Sequence, residues 1–169
     1  MALLEDLDVK WQEGKINQIC EVSWNLEKTI ERYWDNFGFG PWYIWDFLPP
    51  DLHSCYYKGA KVEMAFRLAL AQIGPIQYEI TQPLYGLGIH REWLETRGEG
   101  VHHLKMYFPD IPKAKEMFAK KGIYVLQEGR YKEEDWHVFL DTLKEFGVIW
   151  EIGNCRDIGA PHKVFPEPK

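Results

Sequence analysis

The sequence predicts an α+β fold made of two tandem βαβββ modules, on the basis of three observations. First, Gln18 precedes Leu26 by the same spacing that separates His103 from Ile111. Second, a helical pattern follows each of these short apolar segments and runs into a glycine. Third, each half of the chain closes with an apolar strand that carries one glutamate. The repetition indicates that one structural unit occurs twice.

In the first module, the apolar stretch over residues 16–22 predicts the opening strand. The apolar side chains that follow recur at helical spacing and end at Gly38, and glycine commonly stops a helix. Three further strands are predicted at 42–47, 62–71 and 75–81.

The second module repeats this order. Residues 101–108 predict its opening strand, and a helical pattern runs from Ile111 to a stop at Gly122. The remaining three predicted strands cover residues 123–127, 136–141 and 148–153.

These elements divide the chain into four parts. Residues 1–14 are predicted to be an N-terminal extension, and 15–97 the first module with a glycine- and proline-rich linker around a helical piece at 91–96. Residues 98–153 form the predicted second module. Residues 154–169 contain prolines without periodicity and are expected to be a loose tail.

The closing strands carry Glu79 and Glu151 among apolar residues. A carboxylate on such a strand is costly to bury unless another group pairs with it, and the alternative is that it faces solvent at a sheet edge. Because side chains alternate along a strand, Gln77, Glu79 and Thr81 share one face. Since the glutamate recurs at the same place, this polar face is predicted to line a cavity.

Composition excludes some classes of function. The net charge of −6 disfavours nucleic acid, and the lysines of residues 113–121 lie at helical spacing without forming one basic stripe. The 3 cysteines show no metal-knot spacing and suit a reducing compartment. No signal peptide or membrane-spanning stretch is recognised, so a cytoplasmic protein without membrane contact is expected.

Aromatic residues are concentrated between the first helix and the third strand. They are Trp34, Trp42, Tyr43, Trp45, Tyr56 and Tyr57. Such side chains serve a core or a dimer interface as well as a binding pocket. Together they favour a substrate with a bulky apolar or planar part.

Other residues are expected beside the same cavity. Lys105 and Tyr107 occupy alternate positions after His103 and should share its face. Lys105 could hold an anionic group or an enolate oxygen, or it could pair with one of the glutamates and so compete with a metal. Cys20 should face the cavity as a wall residue. His137 could reach the cavity as an acid or base, or it could be a structural histidine between Trp136 and Val138.

Three motifs carry a resemblance to a known superfamily. They are Gly-Glu-Gly-Val-His-His ending at His103, Glu-Ile-Thr-Gln-Pro beginning at Glu79, and Gly-Val-Ile-Trp-Glu-Ile containing Glu151. Over residues 15–153 the chain resembles the vicinal oxygen chelate superfamily, most closely its methylmalonyl-CoA epimerase and glyoxalase I branch. The resemblance implies a curved, eight-stranded mixed sheet around a cavity.

The resemblance also implies a metal site formed by Gln18, Glu79, His103 and Glu151. Gln18 departs from the family pattern, which usually has histidine there. Such a mostly oxygen donor set suits Mg, Mn, Co, Ni or Fe(II), and it also admits Zn. A metal with open positions would polarise a substrate carbonyl.

The predicted function is a metal-dependent isomerase, epimerase or lyase that abstracts a proton next to a carbonyl. In the relatives a glutamate at a ligand position acts as the base, which implies Glu151 or Glu79, with Glu151 preferred. The substrate would be an acyl-CoA, by resemblance to the epimerases, or an aromatic metabolite.

Two other functions stay open. Gln18 and Lys105 favour a metal-free protein that binds or sequesters a small molecule. A ring-cleaving dioxygenase comes third, because Gln18 removes a histidine that those relatives use. A homodimer is expected, and the sequence leaves open whether the cavity lies within one chain or across the dimer.

Overall fold

The computed structural model describes residues 12–167. Within this range the chain contains two repeats of a strand–helix–strand pattern. The first repeat consists of β1 (Ile16–Val22), α1 (Leu26–Phe37), β2 (Trp42–Phe47), β3 (Leu52–Tyr57), β4 (Ala60–Lys61), β5 (Met64–Ile73) and β6 (Ile76–Gly86). Helix α2 (Ile89–Arg97) connects it to the second repeat. The second repeat consists of β7 (Gly100–Tyr107), α3 (Ile111–Ala119), β8 (Val125–Tyr131), β9 (Asp135–Leu140), α4 (Leu143–Phe146) and β10 (Ile149–Gly153), followed by β11 (Lys163–Phe165).

Helix capping explains the spacing that the two modules share. The side chain of Asn25 accepts a hydrogen bond from the backbone N–H of Lys28 at the start of α1. Asp110 does the same for Lys113 at the start of α3. Both are N-caps, which satisfy a backbone donor that the first helical turn leaves unpaired. Each helix therefore begins at a fixed distance from the strand before it.

The described strands form one 11-stranded sheet in the order β11-β2-β5-β6-β1-β7-β10-β9-β8-β3-β4. β1 and β7 are antiparallel neighbours at its centre. β6 lies parallel to β1, and β10 lies parallel to β7. The first and last strands of each module are thus adjacent, and this arrangement collects the four strands that carry the predicted ligands.

The predicted fold class is correct in its α+β architecture and curved open sheet, but the predicted count of eight strands is wrong. Each predicted strand overlaps an observed one, and β3, β4 and β11 are additional. The β3–β4 hairpin pairs with β8 of the other module. β11 pairs with β2 at the opposite edge, within the segment expected to be a loose tail. The predicted extension, residues 1–14, lies almost wholly outside the described residues.

Alternation along β2 separates two apolar layers. Trp42 and Ile44 pack with Leu26 and Ile30 of α1 on one face of the sheet. Tyr43 and Trp45, which alternate with these two residues along β2, pack in a different cluster on the other face. The main helices therefore cover one face, and the curved opposite face is left to enclose a cavity. Among the described residues, no helix has the length and apolar character needed to cross a membrane.

Candidate active site

A cavity of about 260 Å³ lies on the face of the sheet opposite α1 and α3. Its apolar wall consists of Trp45, Phe47, Phe66, Leu68, Leu70, Phe139 and Ile158. Its polar wall consists of Gln18, Gln77, Glu79, His90, Lys105, Asp135, His137, Glu151, Cys155, Arg156 and Asp157. A small molecule bound here would meet an apolar surface on one side and ionisable groups on the other.

Most of the residues predicted for the site lie at this cavity, and three do not. Cys20 and His103 are completely buried behind the wall. Tyr107 ends β7 and does not line the cavity. Strand register explains the position of Cys20, because it pairs with Glu79 on β6 and with His103 on β7.

Glu151 is the centre of a buried charged cluster. Its Oε1 lies 3.0 Å from Nζ of Lys105, and its Oε2 lies 2.9 Å from Nε2 of His103. Burial opposes ionisation, but the Lys105 ammonium group and the contact with His103 outweigh it and lower the pKa of the Glu151 carboxyl. The attraction of Glu151 likewise outweighs burial at Lys105 and raises the pKa of its amine. Both groups are therefore charged at neutral pH.

Glu79 has a different environment. Its Oε1 accepts a hydrogen bond of 2.7 Å from the Thr81 hydroxyl group, which in turn lies 3.7 Å from the Cys20 thiol. Among the described residues, no lysine, arginine or histidine forms an ion pair with Glu79. The side chain is nevertheless buried and lines the cavity. Glu79 is thus a buried carboxylate without a cationic partner.

The two polar atoms of the Gln18 side-chain amide differ in their hydrogen bonding. Its Nε2 donates a 2.6 Å hydrogen bond to Oε1 of Gln77. Its own Oε1 is buried and has no hydrogen-bond partner among the described residues. Buried polar atoms are rarely left unpaired, so this oxygen is available to a bound donor.

Two histidines of the polar wall also have unpaired ring nitrogens. They are Nε2 of His90 and both nitrogens of His137. Burial is the main cause that lowers the pKa of His90 to about 3 and that of His137 to about 4. Both imidazoles are neutral at pH 7 and can donate or accept a hydrogen bond from a ligand.

His90 was not predicted from the sequence. It lies on α2, in the segment interpreted as a linker, and its ring packs 5.0 Å from His102 and 5.3 Å from Phe139, measured between ring centroids. It directly precedes the helical piece predicted at 91–96, and that pattern does not indicate which way a side chain points.

The neutral histidines lead to a prediction about pH. Their folded-state pKa values lie below the ordinary value of 6.5, so the unfolded chain binds more protons between about pH 3 and pH 6.5. Stability should therefore fall as pH is lowered through this window, by up to about 1.4 kcal/mol per pH unit for each group. Urea denaturation of wild type and His90→Gln at pH 7, 5.5 and 4.5 checks this. The variant should lose less stability on acidification, and an equal loss in both proteins would contradict the assignment.

Two groups of described residues bring three metal-ligating atoms within 4.8 Å of one another. They are His90, His102 and His103, and Cys20, Glu79 and His103. Glu151 belongs to neither group.

The donors do not fit a divalent ion in this arrangement. The ammonium group of Lys105 already neutralises Glu151, and an added divalent ion would meet a like charge there. Burial, followed by the charge of Glu79, raises the pKa of the Cys20 thiol, whereas metals bind the thiolate. In the histidine group, Nδ1 of His102 and Nδ1 of His103 lie 2.8 Å apart and already share a hydrogen bond.

A comparison with known protein families agrees with the observed fold. The sequence profile of the glyoxalase/bleomycin resistance protein/dioxygenase superfamily matches residues 17–139. This chain belongs to that superfamily. A comparison with curated protein sequences gives no significant match.

Solved structures show the same fold at low sequence identity. A hypothetical protein from Bacillus halodurans C-125 has a TM-score of 0.62 and 17% identity, with coverage of 85% of this chain and 95% of the other. A methylmalonyl-CoA epimerase in complex with methylmalonyl-CoA and NH4+ has a TM-score of 0.60 and 21% identity, with coverage of 89% and 100%. The methylmalonyl-CoA epimerase from Mycobacterium tuberculosis has a TM-score of 0.59 and 17% identity, with coverage of 86% and 90%.

Proposed function

We propose that this protein is an isomerase or epimerase that removes a proton from the carbon next to a carbonyl group. The observation that carries the proposal is that Glu79 is buried, lines the cavity and has no cationic partner within the described part of the chain. A general base must lie close to the substrate and must not already be held by a stronger charge. Glu79 lines the cavity and forms no ion pair among the described residues.

The sequence favoured Glu151 as the base, and the contacts favour Glu79 instead. Glu151 is bound by Lys105 and lies against His103, and these contacts lower the pKa of its carboxyl. A carboxylate with a lowered pKa accepts a proton less readily. Glu79 accepts a hydrogen bond from the neutral hydroxyl group of Thr81. We therefore assign the base to Glu79 and a supporting position to Glu151.

The proposed step moves one proton. The carboxylate of Glu79 takes the proton from the substrate carbon, and the electron pair of that C–H bond moves toward the carbonyl to form an enolate. Transfer of that proton from Glu79 to another atom of the enolate completes an isomerisation, and delivery of a solvent-derived proton to the opposite face of the same carbon completes an epimerisation. No electron acceptor or further reactant is required.

We propose an acyl-CoA thioester as the substrate class. The cavity of about 260 Å³ suits a small acyl group, and its aromatic and aliphatic wall would pack against an alkyl part. Solved neighbours of the same fold are named as methylmalonyl-CoA epimerases, one of them in complex with methylmalonyl-CoA. The bulk of the coenzyme would lie outside the cavity.

The test is deuterium exchange followed by proton NMR in D2O. Methylmalonyl-CoA and propionyl-CoA are incubated with the protein and, as a control for spontaneous exchange, without it. We expect the signal of the proton next to the thioester carbonyl to disappear faster with the protein for at least one of the two. Equal rates with and without protein for both thioesters would refute the proposal.

A metal-free binding protein is the second candidate, because Lys105 already neutralises Glu151 and much of the cavity wall is apolar. Calorimetric titration with the same thioesters separates the two functions. Stoichiometric binding with full retention of the proton would favour the binding protein.

A further inference from the structure

We propose that the ε-ammonium group of Lys105 takes the place of a metal ion and supplies the positive charge that stabilises the enolate. The inference rests on the proposed proton abstraction and assigns its electrophile. It also explains why the donors around the cavity do not fit a divalent ion.

The position of Lys105 in the sheet supports this role. On one side its Cα pairs in register with Gln18 of β1, and on the other with Glu151 of β10. Both neighbours belong to the set predicted to bind a metal. Its Nζ lies 3.0 Å from Oε1 of Glu151. The lysine thus places its charge against Glu151, one of the residues expected to bind a cation.

The backbone leaves room for this side chain. A Cβ added at Gly153 of β10 would lie 2.6 Å from Cε and 3.1 Å from Nζ of Lys105. Any residue with a side chain at this position would push the lysine away. Gly153, two positions after Glu151, therefore leaves space for the Lys105 side chain.

The charges around the cavity also favour this role for Lys105. Lys105 is 12% exposed and lines the cavity together with four acidic residues, Glu79, Asp135, Glu151 and Asp157, and with Arg156. His90 and His137 line it as neutral groups. An ammonium group has three N–H donors, and one directed at Glu151 leaves others for a carbonyl oxygen. A donor fixed in a water-poor site stabilises the negative charge that develops on that oxygen.

In the proposed step Lys105 keeps its proton. As Glu79 removes the proton from carbon, negative charge moves onto the carbonyl oxygen, and Lys105 strengthens its hydrogen bond to that oxygen. Glu151 holds the ammonium group in place and is a positioning residue.

Metal uptake measured without any substrate tests the inference. Wild type and Lys105→Met are treated with EDTA, dialysed, incubated with Mn²⁺ or Co²⁺ and dialysed again before elemental mass spectrometry. We expect wild type to retain almost no ion and Lys105→Met to retain an ion that raises its melting temperature. Circular dichroism shows whether the variant is folded.

Lys115→Met is the matched control, because Lys115 also pairs with a glutamate, Glu128, away from the cavity. It should behave like wild type. Stoichiometric uptake by wild type would overturn the inference, and this arm needs no variant. Absence of uptake by folded Lys105→Met would overturn the claim that the lysine stands where an ion would bind. Neither result depends on whether the protein exchanges a proton on a thioester.

Discussion

Glu79→Gln is expected to slow thioester deuterium exchange by roughly 10²–10⁴-fold, the usual contribution of a general base. The substitution keeps the shape of the side chain and an oxygen that can accept the hydrogen bond from Thr81. It removes only the capacity to take a proton. The effect should appear in the maximal rate of exchange at saturating thioester, while thioester affinity changes little.

Glu116→Gln provides the control, because Glu116 is an exposed residue of α3 on the other face of the sheet. Its exchange rate should equal that of wild type. If Glu79→Gln exchanged at the wild-type rate while Glu151→Gln lost exchange, the base would be Glu151, as the sequence first indicated.

Lys105→Met is expected to lower the free energy of unfolding by about 3–5 kcal/mol, because it leaves Glu151 as a buried carboxylate without its ammonium partner. The double variant Lys105→Met/Glu151→Gln removes both charges and should recover most of this loss. Urea denaturation in buffer that contains EDTA provides the measurement, so that no ion masks the effect.

Lys58→Met is the comparison for an exposed ion pair. Lys58 and Glu92 are 54% and 48% exposed, and such pairs contribute at most about 1 kcal/mol after solvent screening. A similar small loss for Lys105→Met, or a further loss in the double variant, would show that the Lys105–Glu151 pair does not have the energetics of a buried ion pair.

The module repeat was predictable because local physical rules encode it. Asn25 and Asp110 cap their helices from equivalent positions, and this requirement appears in the sequence as a shared spacing. Alternation along β6 and β10 likewise fixes which face carries Glu79 and Glu151. Sequence reasoning of this kind predicted the central strands and six of the residues that line the cavity, which are Gln18, Gln77, Glu79, Lys105, His137 and Glu151.

Long-range pairing was not predictable from the same signals. The β3–β4 hairpin joins β8 of the other module, and the three residues of β11 are too few to show a period. The ring of His90 reaches the cavity only because α2 packs beside the sheet. The sequence raised the pairing of Lys105 with a glutamate as one alternative, and the register between β7 and β10 selects Glu151.

Deuterium exchange on methylmalonyl-CoA by EDTA-treated wild type tests the central claim most directly. It shows whether proton abstraction proceeds without a metal ion, as the proposed role of Lys105 requires. The predicted result is exchange above the spontaneous rate that persists in EDTA and does not increase when Mn²⁺ or Co²⁺ is supplied in excess. Exchange that disappears in EDTA and returns with either ion would contradict the account.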